Sequence, residues 1–213
     1  MKLFYRIVKS LFKTVFVVFY RHKTYGLEHI PKGSGIIAPN HISFFDPPLV
    51  GISCPEEVSF LAKESLLTNP VLGPVLRNLN TYPVSGAEAN LSSIKTVCQL
   101  LEQDKKVVIF PEGERALDGK LTDVKPGIAI LSLRTNAPII PTFIHGTYEI
   151  WPRGQFFPKP WGKTVCAFGS PIYPKNFQNL EKREARTAIA DAIRESIHNL
   201  REWYHAGAKG NPP

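Results

Sequence analysis

Short, wholly apolar runs separated by longer segments with helical spacing are the feature that most restricts how this 213-residue chain can fold. Several runs lack any apolar–polar alternation, which is typical of strands covered by helices on both faces. Strands that alternate with helices predict an α/β protein, with a mostly parallel central sheet flanked by helices in an αβα sandwich. The predicted strands span residues 35–38, 58–62, 81–84, 106–110, 139–144 and 164–168, and the predicted helices span 66–78, 87–104, 127–135 and 180–204.

The basic charge of the chain is concentrated at its N-terminus. Lysine and arginine outnumber aspartate and glutamate by 26 to 18, yet six of the bases precede Glu28, the first acidic residue. The rest of the chain is therefore almost neutral. A nucleic-acid-binding domain is expected to spread its bases over the body, so no nucleic-acid partner is predicted.

Residues 1–24 are predicted to form a basic amphipathic helix at a membrane interface. Lys2, Arg6, Lys9 and Lys13 recur at three- and four-residue steps, which places them along one helical face beside many apolar residues. The uninterrupted apolar run is much shorter than the roughly 20 residues of a spanning helix, and no small-residue cleavage site follows it. We expect a peripheral or monotopic protein on the cytoplasmic face, attached to an anionic membrane surface. The alternative is that the apolar face only packs against the domain.

The remainder is predicted to be one domain, residues 25–206, followed by a flexible tail at 207–213. Three cysteines lie far apart without a CxxC pair. This pattern argues against a disulfide scaffold and a structural zinc site, and it is typical of a reducing compartment.

A histidine and a carboxylate follow the first predicted strand of the body, in the stretch NHISFFDP that contains His41 and Asp46. On a regular helix, five residues place two side chains about 140° apart, so this pair meets only if a turn connects them. Pro47 is also expected to keep Asp46 out of helical geometry. In such a turn, Asp46 would orient the imidazole, and the other ring nitrogen would accept a proton from an alcohol. A purely structural His–Asp contact is the alternative.

A second polar cluster follows the predicted strand 106–110, in the stretch FPEGERA. Arg115 is suited to a phosphate because its planar fork donates hydrogen bonds in pairs. Gly113 permits close approach of the backbone to a ligand, and Glu112 would orient Arg115 or the acceptor. A surface ion pair is the alternative interpretation.

The order NHISFFDP, FPEGERA and APIIPTFI resembles the glycerolipid acyltransferases, the group of 1-acylglycerol-3-phosphate acyltransferases. Their first motif, NHxxxxD, is matched by Asn40, His41 and Asp46. Their third motif, FPEGTRS, is matched except at Glu114 and Ala116, and their fourth motif is matched loosely by residues 137–142. The resemblance covers residues 25–170.

The resemblance implies acyl transfer from acyl-CoA or acyl carrier protein to the sn-2 hydroxyl of lysophosphatidic acid, giving phosphatidic acid for phospholipid synthesis. His41 and Asp46 would be catalytic, and no cofactor or metal is implied. The substrate-binding residues would be Asn40, Lys63, Glu112, Gly113 and Arg115.

One departure concerns the second motif of these enzymes, which carries an arginine thought to help hold the acceptor phosphate. This chain has Ser85-Gly86 at that place, and Lys63 would supply part of the missing charge. Three alternatives stay open. They are a different lysophospholipid acceptor, a catalytically decayed lipid-binding protein, and a lipid thioester enzyme with Cys166 or Ser43 as nucleophile.

Overall fold

The computed structural model describes residues 2–84, 91–116 and 123–213, and it places seven strands and eight α-helices in the described residues. The strands are β1 Lys23–Tyr25, β2 Gly35–Pro39, β3 Val58–Lys63, β4 Thr81–Val84, β5 Lys106–Val108, β6 Ile139–His145 and β7 Val165–Phe168. The helices are α1 Leu3–Tyr20, α2 Asp46–Ser53, α3 Glu64–Leu67, α4 Leu72–Asn78, α5 Leu91–Glu102, α6 Gly127–Thr135, α7 Thr147–Ile150 and α8 Lys182–His205.

All seven strands form one sheet in the order β1-β7-β6-β2-β5-β3-β4. The five strands from β6 to β4 are mutually parallel, β7 is antiparallel to β6, and β1 is parallel to β7. Since β2 lies between β5 and β6, the carboxyl ends of these three strands meet at one edge of the sheet. Open parallel sheets bind their ligands at this edge.

Successive residues of each central strand are buried on opposite faces of the sheet, which explains the apolar runs. Ile36, Val107 and Ile139 pack with α5, α6 and α8 on one face, whereas Ile37 and Val108 pack with α1 and α2 on the other. The predicted αβα sandwich with a mostly parallel sheet is confirmed.

Two predictions about helices are wrong. The predicted helix 66–78 is divided into α3 and α4, because Asn69 Oδ1 accepts hydrogen bonds from the backbone N–H groups of Val71 and Leu72 and starts a new helix. Helix α2 begins at Asp46 despite Pro47, since proline is tolerated in the first turn, where its missing N–H would have no intrahelical partner. Strand β1 has only three residues at the sheet edge, too few to show a pattern.

Helix α1 packs on the domain with one face and exposes an apolar opposite face. Tyr5, Phe16 and Tyr20 are buried, and Lys9 Nζ donates to backbone carbonyl oxygens of residues 54–56, just after α2. The exposed apolar residues of the helix are Leu3, Phe4, Ile7, Leu11, Phe12, Val15, Val17, Val18 and Phe19. In the described ranges, no helix is both long and apolar enough to cross a bilayer.

The C-terminal tail makes contacts with the body. The backbone N–H of Ser170 donates to the carbonyl oxygen of Pro213, and Trp203 Nε1 donates to that of Lys209. Pro212 is buried. The flexibility assigned to residues 207–213 stays a prediction about motion.

Candidate active site

His41 and Asp46 meet through the turn that joins β2 to α2. The imidazole Nδ1 lies 2.8 Å from Asp46 Oδ2, the carboxylate is fully buried, and the His41 side chain is 16% exposed. The backbone N–H groups of Ile42 and Ser43 also donate to Oδ2, at 2.6 and 2.7 Å. The turn is therefore wrapped around the carboxylate, which explains how residues five apart come into contact.

The hydrogen bonds of Asp46 determine which nitrogen of His41 carries the hydrogen. Its other oxygen, Oδ1, accepts from the Thr147 hydroxyl at 2.7 Å. The two backbone N–H groups and the Thr147 hydroxyl are thus all donors to the Asp46 carboxylate. A carboxylate without a hydrogen can only accept hydrogen bonds, so His41 must donate to it as well. Nδ1 of His41 then holds the hydrogen, which leaves Nε2 with a lone pair that can take a proton.

The FPEGERA segment holds the His41 backbone from a neighbouring strand. The His41 N–H donates to Glu112 Oε1 at 2.7 Å, and the Ala116 N–H donates to the His41 carbonyl oxygen at 2.9 Å. The ring of Phe110 stacks on the imidazole, with centroids 3.9 Å apart. Glu112 is buried, and its carboxylate holds the backbone of His41 in place. The departure at Ala116 leaves this contact intact, because only the backbone makes it.

Asn40 and Gly113 form hydrogen bonds with the backbone around the site. The Asn40 amide is buried and bonds in both directions with Ile144 of β6, accepting from its N–H at 2.7 Å and donating to its carbonyl oxygen at 3.0 Å. Gly113 has φ +80° and donates to the Phe110 carbonyl oxygen. Asn40 thus joins the ends of β2 and β6, and Gly113 closes a turn that disfavours a side chain.

Arg115 contacts the His41–Asp46 turn through the ring of Phe44. Its guanidinium lies 3.6 Å from the centroid of the Phe44 ring, and its buried Nη1 has no hydrogen-bond partner among the described residues. Burial, followed by the charge of Arg153, lowers the pKa of Arg115, whereas Asp46 acts in the opposite direction. The charge of Arg153 therefore acts on Arg115, and a bound anion would offset the repulsion between the two guanidinium groups.

Lys63 lies at the same edge of the sheet, at the exposed end of β3 and two strands from β2. Among the described residues, Lys63 forms no hydrogen bond or ion pair with His41 or Arg115. Ser85-Gly86, where the chain departs from the second motif, lies outside the described residues.

Sequence reasoning missed Thr147 and Phe110, which contact Asp46 and His41, and it missed Arg153, whose charge acts on Arg115. Thr147 is a polar residue that follows a buried strand at the carboxyl edge, which is the same signal that indicated His41 and Glu112. Phe110 is part of the matched third motif. Arg153 carries no such signal, because it lies in a loop 38 residues beyond Arg115.

The structure argues against a covalent nucleophile at either suggested position. Cys166 is fully buried in β7, and burial raises the pKa of its thiol to about 12. The Ser43 hydroxyl is also buried and donates to the carbonyl oxygen of Trp151 at 2.7 Å. Across the described parts of the chain, no three His, Cys, Asp or Glu side chains come together in a group suited to a metal ion.

Comparison with known proteins assigns the class. The family model described as Acyltransferase matches residues 21–145, more than half of the chain, and the chain therefore belongs to that family. The matched range contains the His41–Asp46 turn, Glu112 and Arg115.

Individual relatives agree with the family match. A 1-acyl-sn-glycerol-3-phosphate acyltransferase of Bacillus subtilis is 29% identical over 84% of this chain and 87% of its own length. The chloroplastic enzyme BAT2 of Brassica napus, with the same activity in its name, is 26% identical over 89% of this chain but only 56% of its own length. The crystal structure of the lysophosphatidic acid acyltransferase PlsC from Thermotoga maritima superposes with a TM-score of 0.75 and 28% identity, covering 93% of this chain and 78% of that one. The resemblance to glycerolipid acyltransferases is confirmed, and the chain is an O-acyltransferase.

Proposed function

We propose that this O-acyltransferase moves a fatty acyl group from acyl-CoA or acyl carrier protein to the sn-2 hydroxyl of 1-acylglycerol 3-phosphate, giving phosphatidic acid. The observation that carries the proposal is a base beside an unsatisfied cation: Nε2 of His41, and the buried Nη1 of Arg115, which lacks a hydrogen-bond partner among the described residues. This acceptor has one hydroxyl to activate and one phosphate to hold. The names of the bacterial and plant relatives support the same reaction.

His41 is the general base of the proposed reaction. Its Nε2 takes the proton of the acceptor hydroxyl while that oxygen attacks the thioester carbonyl carbon. A C–O bond forms, the C–S bond then breaks, and the thiolate leaves with the electron pair. The proton held on Nε2 passes to the thiolate. Asp46 stabilises the imidazolium that exists between these steps, and general base catalysis of this kind contributes about 10²- to 10⁴-fold.

The acceptor phosphate is held by the two arginines. Phe44 fixes the Arg115 guanidinium from one side, and Arg153 supplies a second positive charge from the loop after α7. Gly113, with its exposed backbone, and Lys63 complete the proposed substrate contacts. Arg153 thereby takes over the role of the second-motif arginine that is replaced at Ser85-Gly86.

Helix α1 attaches the enzyme to an anionic membrane surface on the cytoplasmic face. Its outer face exposes Leu3, Ile7, Leu11 and Val18 by 71%, 58%, 61% and 64%, although Phe16 of the same helix is buried. An exposed apolar face on a helix that also carries the exposed bases Lys2, Arg6 and Lys13 is the pattern of an interfacial helix. Both interpretations of the segment therefore contribute, since one face packs on the domain and the other remains for lipid.

A panel of acceptors and donors tests the reaction. Purified protein in mixed micelles is supplied with acyl-CoA or acyl carrier protein, and with lysophosphatidic acid, lysophosphatidylglycerol or glycerol 3-phosphate. We expect transfer to lysophosphatidic acid, and at least a 10²-fold loss in His41→Ala without loss of folding. Transfer to a different lysophospholipid alone would refute the acceptor. Absence of transfer from every pair would favour the decayed lipid-binding protein.

The phosphate assignment is tested by an acceptor without a phosphate. Arg115→Ala and Arg153→Ala should each lower kcat/KM for lysophosphatidic acid by about 10- to 100-fold, as expected for a lost charge-assisted hydrogen bond. Their activity toward monoacylglycerol should change little. Arg183→Ala on the outer helix α8 is the matched control. A rise in the donor KM instead would assign Arg115 to the acyl donor.

Membrane attachment is tested on the outer face of α1, because Phe16 and Tyr20 pack in the core and deletion of the helix would also damage the domain. Ile7→Ser with Leu11→Ser should lower partitioning onto anionic vesicles by about tenfold or more for each side chain. Leu180→Ser near the start of α8 is the control. Unchanged vesicle binding of the double variant would refute the role of α1.

A further inference from the structure

The loop of residues 152–163, between α7 and β7, exposes three large aromatic side chains. Phe156 is 85% exposed, and Phe157 and Trp161 are each 72% exposed. The two phenylalanine rings contact each other edge to face, with centroids 5.1 Å apart, so they present one combined patch. A cluster of exposed aromatic side chains on the surface of a folded domain indicates an interaction surface.

The backbone of this aromatic loop is anchored at its base. The Lys159 N–H donates to the Ile150 carbonyl oxygen at 2.9 Å, and Trp151 Nε1 donates to the Gln155 carbonyl oxygen at 3.0 Å. The Tyr20 hydroxyl donates to the carbonyl oxygen of Lys159 at 3.0 Å. Since internal bonds hold the backbone while the rings project outward, the exposure of the rings is a property of the folded loop.

The aromatic loop adjoins the exposed face of α1. The backbone N–H groups of Gly162 and Thr164 donate to the carbonyl oxygens of Phe19 and Tyr20, at 3.2 and 2.9 Å. Phe19 and Val18, in the same last turn of α1, are 48% and 64% exposed. The apolar surface of α1 thus continues onto the loop.

The charge of the loop matches an anionic lipid surface. Arg153, Lys159 and Lys163 alternate with the aromatic residues, and no acidic residue occurs between Glu149 and Glu181. Aromatic rings interleaved with bases are typical of the membrane interface, where the rings sit at the headgroup level and each base near the surface adds attraction to anionic lipid. Because the neighbouring face of α1 is also apolar, a bilayer matches the whole surface better than a folded protein does.

The loop also begins next to the active site. Its first turn follows Trp151, whose carbonyl oxygen accepts from the Ser43 hydroxyl and whose ring lies 5.1 Å from that of Phe44. We propose that the aromatic loop is a second lipid contact, in which Phe156, Phe157 and Trp161 enter the headgroup region and, together with α1, turn His41 and Arg115 toward the leaflet. Only the consequence for activity rests on the proposed function; the binding itself does not.

The experiment compares the full-length wild type with a variant that carries Phe156→Ser, Phe157→Ser and Trp161→Ser. Leu91→Ser, which removes an apolar side chain that is 86% exposed on the opposite face of the sheet, is the matched control. Vesicles of phosphatidylcholine with phosphatidylglycerol, and of phosphatidylcholine alone, are used for flotation. We expect the triple variant to lose about tenfold or more in partitioning on anionic vesicles, while α1 keeps some binding and Leu91→Ser leaves it unchanged.

Two further measurements separate this proposal from the proposed reaction. Quenching of Trp161 by brominated lipids, compared between wild type and Trp161→Phe, reports contact with the bilayer without any activity. If lysophosphatidic acid is the acceptor, the triple variant should lose activity toward vesicle-embedded acceptor but keep it toward a dispersed short-chain acceptor. Equal flotation of wild type and triple variant, or no quenching of Trp161, would overturn the proposal. Loop-dependent binding of the acyl carrier protein without a change in flotation would assign the loop to that protein instead.

Discussion

The hydrogen bonds around Asp46 make the variant Asp46→Asn a quantitative test of the site. Two backbone N–H groups, from Ile42 and Ser43, point at Oδ2 from 2.6 and 2.7 Å. An amide NH₂ at that position would face two donors in a buried place, so the asparagine oxygen must take it. The amide nitrogen then faces the Thr147 hydroxyl, which can accept as well as donate. The variant therefore keeps the turn and the tautomer of His41.

The variant loses the negative charge beside the imidazole. The charge is needed when His41 holds the acceptor's proton and becomes an imidazolium. With about 4 Å between the charge centres and an effective dielectric constant of about 20, the pair is worth about 4 kcal/mol. The retained hydrogen bond from Nδ1 to the amide oxygen offsets part of this. We expect kcat to fall by about 10²- to 10³-fold with little change in thermal stability.

Release of free thiol from acyl-CoA, measured with lysophosphatidic acid in mixed micelles, gives kcat for each variant. Asp46→Asn should keep more activity than His41→Ala, because it retains the base. If both variants lose the same activity while folded, the amide has turned and the tautomer argument is wrong. If Asp46→Asn matches the wild type, the charge of Asp46 has no role in the reaction.

Other predictions concern residues that position the site or stabilise the fold. Glu112→Ala leaves the part-buried His41 N–H without its carboxylate acceptor, and we expect a loss of about 1–3 kcal/mol in unfolding free energy together with a lower kcat, whereas Glu112→Gln should restore both because its oxygen still accepts. Gly113→Ala places a side chain at φ +80° and should cost about 1–2 kcal/mol in urea unfolding, and an unchanged midpoint would contradict the need for glycine. Burial lowers the pKa of His22 from 6.5 to about 4, so the unfolded chain binds the extra proton first as pH falls. The wild type should therefore lose about 2 kcal/mol more than His22→Gln between pH 7 and pH 5, and equal losses would refute the neutral, buried state of this ring.

Much of the architecture is readable from local pattern. The apolar runs indicate buried strands because each strand is covered on both faces, and this holds wherever a parallel sheet lies between two helical layers. Asn69 and Pro47 show the limit of such reasoning: one ends a continuous helical pattern by capping a new helix, and the other is accepted in a first turn. Both outcomes depend on hydrogen bonds that apolar spacing does not report.

The sequence by itself determined the His41–Asp46 pair, since the five-residue spacing and the flanking turn residues are local. It also determined the helical row of bases in α1. Only the tertiary structure decided that Glu112 holds the His41 backbone and that Thr147 donates to the Asp46 carboxylate. These contacts join residues 71 and 101 positions apart, and they exist because β2 lies between β5 and β6 with their carboxyl ends at one edge. Strand order is a property of the packed sheet, so no local spacing encodes which loops meet there.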